Sequence, residues 1–383
     1  MALPLPDVQS AADCTSFSRT VLPFLPQLQT LPARLSEAGW DLDSLKEVYL
    51  TTNPLVTAIA LCLSLAALFF VVSEVSGNYS QVDRSWSILP SVYNVHFALW
   101  ARMVGIQSEF LDTIAMNTLI WSVSLISNPA TFTSYSDLQQ ARLTYNYWRK
   151  GGYRLSAEDY RWEVLRVKIN NRFVFFLFNV VFISLAQSVL LLLINTPTYV
   201  FMTLSRAPTT ESFGIPDVVF SRLVFFFIIL EHFADQQQWQ FHRAKHTYHA
   251  TARIADKQFT QDDLERGFVV SGFWSLSRHP NFVAEQAIWL SFYLWSCFRT
   301  ENYLQWTGLG IFGYLLIFQA STRLTESISA SKYPEYKDYQ ARVGRFIPRP
   351  SVEPKMGKRA GKDKNKDKAP QQEETQKEGK KSD

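Results

Sequence analysis

Apolar residues along this chain fall in long blocks separated by strongly polar connections. The blocks "PLVTAIALCLSLAALFFVVSEV" (54–75) and "FVFFLFNVVFISLAQSVLLLLI" (173–194) each supply the ~20 residues that a helix needs to cross a hydrocarbon core. Shorter or more mixed apolar stretches at 86–103, 110–127, 217–235, 283–298 and 303–320 predict further spans. The pattern predicts an all-α fold, a polytopic transmembrane helical bundle of about seven spans occupying 51–350. A polar, acid-leaning segment at 1–50 precedes it. From 351 the chain becomes "SVEPKMGKRAGKDKNKDKAPQQEETQKEGKKSD", too poor in apolar residues to bury a core, and reads as a disordered basic C-terminal tail over 351–383.

The connections set an orientation. Segments 141–172 and 240–267 are rich in Arg and Lys, whereas 195–216 carries only Arg206. Basic loops stay cytosolic, so 141–172, 240–282 and the C-terminus face the cytosol and the N-terminus is lumenal. The sequon at Asn78 then lies in a cytosolic loop and is expected to stay unmodified. The final "KKSD" resembles a dilysine retrieval signal, a receptor-read address. The expected location is the endoplasmic reticulum membrane, multi-pass, with a cytosolic C-terminus.

Composition changes this picture little. The mean hydropathy of -0.06 averages very apolar blocks with very polar ones, so the blocks decide the class. Cys14, Cys62 and Cys297 are odd in number and far apart, which predicts neither a disulfide framework nor a metal site. Asp7, Asp13 and several prolines stand where a secretory signal would be basic and then apolar. No nucleic-acid partner is expected. "GLGIFG" (308–313) matches the dinucleotide fingerprint, but that motif needs a preceding strand. Here Gly308, Gly310 and Gly313 lie inside an apolar helical run, where small residues let helices approach closely.

Ionisable residues at membrane depth or at its edge are the candidates for chemistry, since leaving them unpaired is costly. Arg278, His279 and Asn281 precede the sixth span, and Glu285 follows one helical turn beyond Asn281. A guanidinium suits a phosphate, and an Asn with a carboxylate suits ribose hydroxyls or a carboxamide. Pro280 is placed to begin a helix. At the end of the fifth span Glu231, Asp235 and Gln238 recur at helical spacing, followed by His242 and Lys245. After the last span come Arg323, Glu326, Lys332, Tyr336, Tyr339 and Arg342, able to close over a nucleotide or to form an interfacial helix. Asp83 and Arg84 beside Trp86 form a further cytosolic-edge group.

Together "SRHPNFVAE", the apolar span after it and "SKYPEYKDYQARVGRFIP" resemble the C-terminal half of membrane steroid 5-alpha-reductases, sterol C14-reductases and enoyl-CoA reductases. "GNYSQVDRSWSILP", "RLTYNYWRKGGYRLSAEDYRW" and "ADQQQWQF" resemble the branch labelled DUF1295. The resemblance covers about 54–350. It implies a helical membrane bundle holding NADPH in a pocket open to the cytosol. Residue by residue, it implies cofactor contacts at Arg278, Asn281 and Glu285, at Asp235 and the basic residues just after it such as Lys245, and at Tyr336 and Tyr339. His279, Gln238 and Arg323 join the cofactor-binding candidates from their place in the polar groups. Where the family often has Gly before the Glu, this chain has Ala284.

The function expected is an oxidoreductase acting on a CH–CH group: NADPH-dependent reduction of a C=C bond conjugated to a carbonyl in a lipid-like substrate. Catalytic candidates are Glu231, Asp83 and Tyr145, with no single proton donor assigned among them. Two other readings compete, because fold does not fix function. Isoprenylcysteine carboxyl methyltransferases are similar in carrying an Arg-His-Pro segment before a late span and use S-adenosylmethionine. A non-enzymatic membrane scaffold is the third.

Overall fold

The computed structural model describes residues 3–122, 158–208, 211–254 and 256–348. Among them the regular structure is helical, and the nearest thing to a strand is one isolated bridge between Ser277 and Gly344. The N-terminal helices are α1 (Ala11–Cys14), α2 (Phe17–Thr20), α3 (Gln27–Ala38) and α4 (Leu42–Thr51). Then follow α5 (Pro54–Ser76), α6 (Gln81–Ser85), α7 (Leu89–Met103), α8 (Glu109–Ser122) and α9 (Tyr160–Ile169). A near-continuous rod holds α10 (Arg172–Phe178), a π-helical stretch (Asn179–Ala186), α11 (Gln187–Leu193) and α12 (Thr196–Leu204). The chain finishes with α13 (Ile215–Thr251), α14 (Gln261–Arg266), α15 (Pro280–Thr300), α16 (Gly308–Lys332) and α17 (Tyr336–Arg342).

Local chemistry sets these boundaries. Asn53 caps α5 by accepting from the Leu55 amide at 2.9 Å, with Pro54 as the first helical residue, and Gly77 ends the helix in the left-handed region. Pro280 opens α15 as its sequence position predicts. Asp217 accepts from the Gly214 amide at 2.7 Å at the start of α13. That helix spans 37 residues, about 55 Å at the usual rise and so well beyond a ~30 Å hydrocarbon thickness. Its apolar half packs in the main cluster through Val224 and Ile228, and its polar half, from Asp235 onward, buries Phe241 and Ala244 in a second, smaller cluster with Phe259, Leu264 and Trp274.

As far as the described residues reach (123–127 lie outside them), the seven stretches expected to span fall on helices, but among the described residues only Pro54–Ser76 and Arg172–Leu204 are by themselves long and apolar enough to cross a membrane. The others are weaker for identifiable reasons. α7 has 15 residues, and α8 has 14 where the described residues stop. The apolar half of α13 carries Asp217, Arg222 and Glu231. The expected boundary near residue 50 does not separate cores either. Leu5, Val8, Cys14 and Val21 share one buried cluster with Leu55, Tyr199 and Trp295. The Tyr199 hydroxyl donates to the Thr20 carbonyl at 2.8 Å, fixing the N-terminal helices to α12.

The pairing of α13 with α15 is the most extensive in the molecule. It is antiparallel: Asp217 accepts from Trp295 Nε1 (2.8 Å) and Arg299 Nε (2.7 Å) at one end, and Asp235 accepts from Asn281 at the other. α16 packs against α15 and α11. At Gly310 a Cβ would lie 2.4 Å from the Leu193 carbonyl oxygen, so the "GLGIFG" glycines are where α16 meets the end of α11. That is the close helix approach expected of them.

Candidate functional site

The first turn of α15 and the last turns of α16 bring the late polar residues together. Arg278 is buried and grips Glu326 through two parallel bonds, Nε at 2.7 Å and Nη2 at 3.1 Å. Its Nη1 donates to the carbonyls of Gln340 (3.0 Å) and Val343. Four of its five donors are therefore spent within the chain. In this arrangement the guanidinium holds the C-terminal segment onto the bundle, which the sequence alone does not reveal. His279 Nε2 lies 3.0 Å from Glu326 Oε1, and its ring stacks on Phe282. Arg345 and Gln340 also approach Glu326. Burial alone would raise the Glu326 carboxyl, but the hydrogen bonds from His279 and Arg278 and their charges outweigh it and hold it at about 2.

Next to this clamp, Asn281 Nδ2 donates to Asp235 Oδ1 at 3.0 Å across the α13–α15 seam. The carbonyl oxygen of the same amide is buried and has no hydrogen-bond partner among the described residues. Gln238 follows Asp235 on α13, half-buried. Further out, Lys245 Nζ donates to the Gly267 carbonyl (2.8 Å) and the Tyr333 hydroxyl (2.9 Å). Burial would raise the Tyr333 phenol, yet the Lys245 hydrogen bond and charge bring it below its ordinary value. His242, Lys245, His246, His249 and Ala250 line an open concavity of about 420 Å³ on the same helix. Tyr336 packs edge-on and Tyr339 at a tilt against Phe268, and burial pushes both phenols up. The Tyr339 hydroxyl donates to the Trp274 carbonyl. Arg323 stands apart, on the exposed side of α16.

Glu285 sits deeper and in different company. Its Oε1 accepts from Trp289 Nε1 (2.9 Å) and the Tyr314 hydroxyl (2.5 Å), and its Oε2 from Trp121 Nε1 (2.9 Å). These donors to the buried carboxyl are neutral aromatic groups. The register that pairs Asp235 with Asn281 sets buried Glu231 level with Glu285, and Glu231 is near enough to Tyr314 to act on it electrostatically. Tyr314 in turn packs against Trp86, with ring centroids 5.8 Å apart.

The other catalytic candidates lie elsewhere. Asp83 accepts from Trp162 Nε1 at 2.7 Å and is 4.0 Å from Arg161, while Arg84 donates to Gln81 instead. Burial raises the Asp83 carboxyl, with Arg161 opposing it. Arg161 Nη1 also reaches Ser321 at 3.0 Å, so this group leans on α16 two turns beyond Tyr314. Tyr145 falls outside the described residues. Trp121, Trp289 and Tyr314 are site residues that sequence reasoning missed. Each reads as an ordinary core aromatic, and only the 29 to 164 residues of separation closed by the fold bring Tyr314 and Trp121 to Glu285.

A family model described as a protein of unknown function (DUF1295) matches residues 69–343, which include the helices that build this site. The chain belongs to the DUF1295 family. An uncharacterized protein of Schizosaccharomyces pombe is 38% identical over 351 residues, covering 91% of this chain and 94% of the yeast protein. The resemblance therefore extends beyond the DUF1295 match into the N-terminal helices. No solved structure matches.

Proposed function

We propose that the chain is a membrane-embedded reductase that holds NADPH at the cytosolic mouth of its helix bundle and reduces a C=C bond conjugated to a carbonyl in a lipid-like molecule. The observation that carries this reading is Asn281. Its amide nitrogen is spent on Asp235, and its buried carbonyl oxygen has no partner among the described residues. Such an acceptor suits the N–H of a carboxamide or a ribose hydroxyl.

From Asp235 the same face of α13 runs through Gln238 and His242 to Lys245, about 15 Å further along the helix. There it meets the concavity lined by histidines. Polar acceptors at one end and cationic groups at the other fit a dinucleotide, so Asn281, Asp235 and His279 would hold its nicotinamide side and Lys245 its phosphates. Arg278 and Glu326 support them by fixing the first turn of α15 against the end of α16. When bound, the dihydronicotinamide supplies a hydride to an electron-poor double bond. The family resemblance points to the same cofactor.

The membrane part of the proposal rests on the outside of the helices. Leu68 and Val72 on α5, Phe226 and Phe233 on α13, and Phe312 and Leu316 on α16 are all exposed, while Glu231, Glu285 and Gln187 are buried. Exposed apolar surface on so many helices marks a partner, and lipid fits a belt that surrounds a polar interior. We place the clamp, the Lys245 groove and the C-terminus on the cytosolic side, where the basic loops lie.

Purified protein in detergent is titrated with NADPH, NADH and S-adenosylmethionine while its melting is followed. A ligand at 100 times its dissociation constant adds about 2.7 kcal/mol. NADPH is expected to stabilise, with S-adenosylmethionine inert. Stabilisation by S-adenosylmethionine alone, or by none of the three, overturns the reading.

A further inference from the structure

The π-helical stretch Asn179–Ala186 ends directly on Gln187, which opens α11 in the middle of the long apolar rod. Gln187 is 3% exposed. Its Oε1 accepts from Trp86 Nε1 at 3.0 Å. An indole N–H can only donate, so this bond fixes which way round the amide lies. The Nε2 then points away from Trp86, and it is buried with no hydrogen-bond partner among the described residues. The neighbouring Ser188 hydroxyl is buried and unpartnered as well.

An amide with both N–H groups unmet inside an apolar span is costly. π-helical turns inserted in α-helices gather at functional sites. The position is also connected to the buried acidic group. Trp86 holds Gln187 through its indole nitrogen and packs its ring against Tyr314, which donates to Glu285.

We propose that Gln187 Nε2 is a ligand-binding donor that takes the carbonyl oxygen of the apolar substrate, with Trp86 as the residue that orients it. A carbonyl oxygen offers acceptors and no donor, which is what an unmet N–H pair requires. An apolar skeleton suits the rod, whose sequence around Gln187 is apolar. A donor at this oxygen would also draw electron density from a conjugated double bond. This inference rests on the reductase reading and names the residue that holds the carbonyl of its substrate. It differs from the expectation that Glu231, Asp83 or Tyr145 would carry the chemistry, because the polarising group is a neutral amide.

The test compares binding of cholestenone, a conjugated sterol ketone, with cholestene, the matching hydrocarbon, in detergent micelles. Wild-type protein is expected to prefer the ketone by about tenfold, the worth of one buried hydrogen bond. The stretching frequency of the bound ketone should fall below its value in a hydrocarbon solvent. Gln187→Met keeps the side-chain volume and removes both donors, so preference and frequency shift should both vanish. The double variant Trp86→Phe with Gln187→Met leaves no indole donor unmet, and should behave in the same way if the single variant folds poorly. Stabilisation by NADPH should persist in both. Retained ketone preference in the variants, or no preference in wild-type protein, overturns the proposal. Loss of NADPH binding in wild-type protein with ketone preference intact would instead remove the reductase reading and leave this site standing.

Discussion

Glu326 is the residue on which the clamp between α15 and the end of α16 turns. It is 2% exposed and receives Arg278, His279, Gln340 and Arg345. Removing one partner of a buried ion pair leaves an uncompensated charge, so Glu326→Gln should destabilise by about 3–5 kcal/mol. Arg278→Met combined with Glu326→Leu should cost less than that single change. The pH dependence has a defined sign. The folded carboxyl sits at about 2 against an ordinary 4.5, so its contribution is complete above the ordinary value and is lost as pH falls through the lower one. Stability should decline between about pH 4.5 and 2, by on the order of 3 kcal/mol from this group. Chemical denaturation of wild-type and Glu326→Gln protein across that range checks it, because the variant should lack this part of the decline.

Among the elements, α16 organises the site. Tyr314, Phe318, Ser321 and Glu326 follow one another along it and meet, respectively, Glu285, Phe282, Arg161 and Arg278. Its depth in the bundle is set at the other end, where Gly310 lies against the Leu193 carbonyl. A side chain there has backbone to displace, so Gly310→Val should cost at least the 1–3 kcal/mol of an overpacked core. It should also shift Tyr314 relative to Glu285. Gly39→Ala is the control for glycine loss without crowding, since nothing lies within 4 Å of its Cβ position. Only the positive φ of 57° at Gly39 should matter there. Thermal unfolding of both variants separates the effects, and equal losses would argue against a packing role for Gly310.

Taken as a whole, the molecule shows how far a membrane-like sequence can be read. The apolar blocks at 54–75 and 173–194 are legible because length and hydropathy alone define them, and they appear as the two long apolar helices. Pro280 as a helix start and the glycines of 308–313 as a packing surface are legible because each reflects a local backbone property. Pairing across the chain is not. Arg278 looks like a phosphate ligand until Glu326, 48 residues away, takes its donors. Gln187 looks like one polar residue in a span until Trp86, 101 residues away, fixes its amide. The tryptophans crowding this region offer the most direct check on the whole account. Trp274, Trp289 and Trp121 all lie on residues that frame the mouth or the Glu285 site, and tryptophan emission overlaps the absorption of NADPH. Energy transfer from protein to NADPH should therefore be strong in wild-type protein and saturable. With Asn281→Leu, which removes the unpartnered acceptor, the apparent affinity should fall at least tenfold while the fold is retained. Undiminished transfer in Asn281→Leu, or none in wild-type protein, would contradict a nucleotide bound at this mouth.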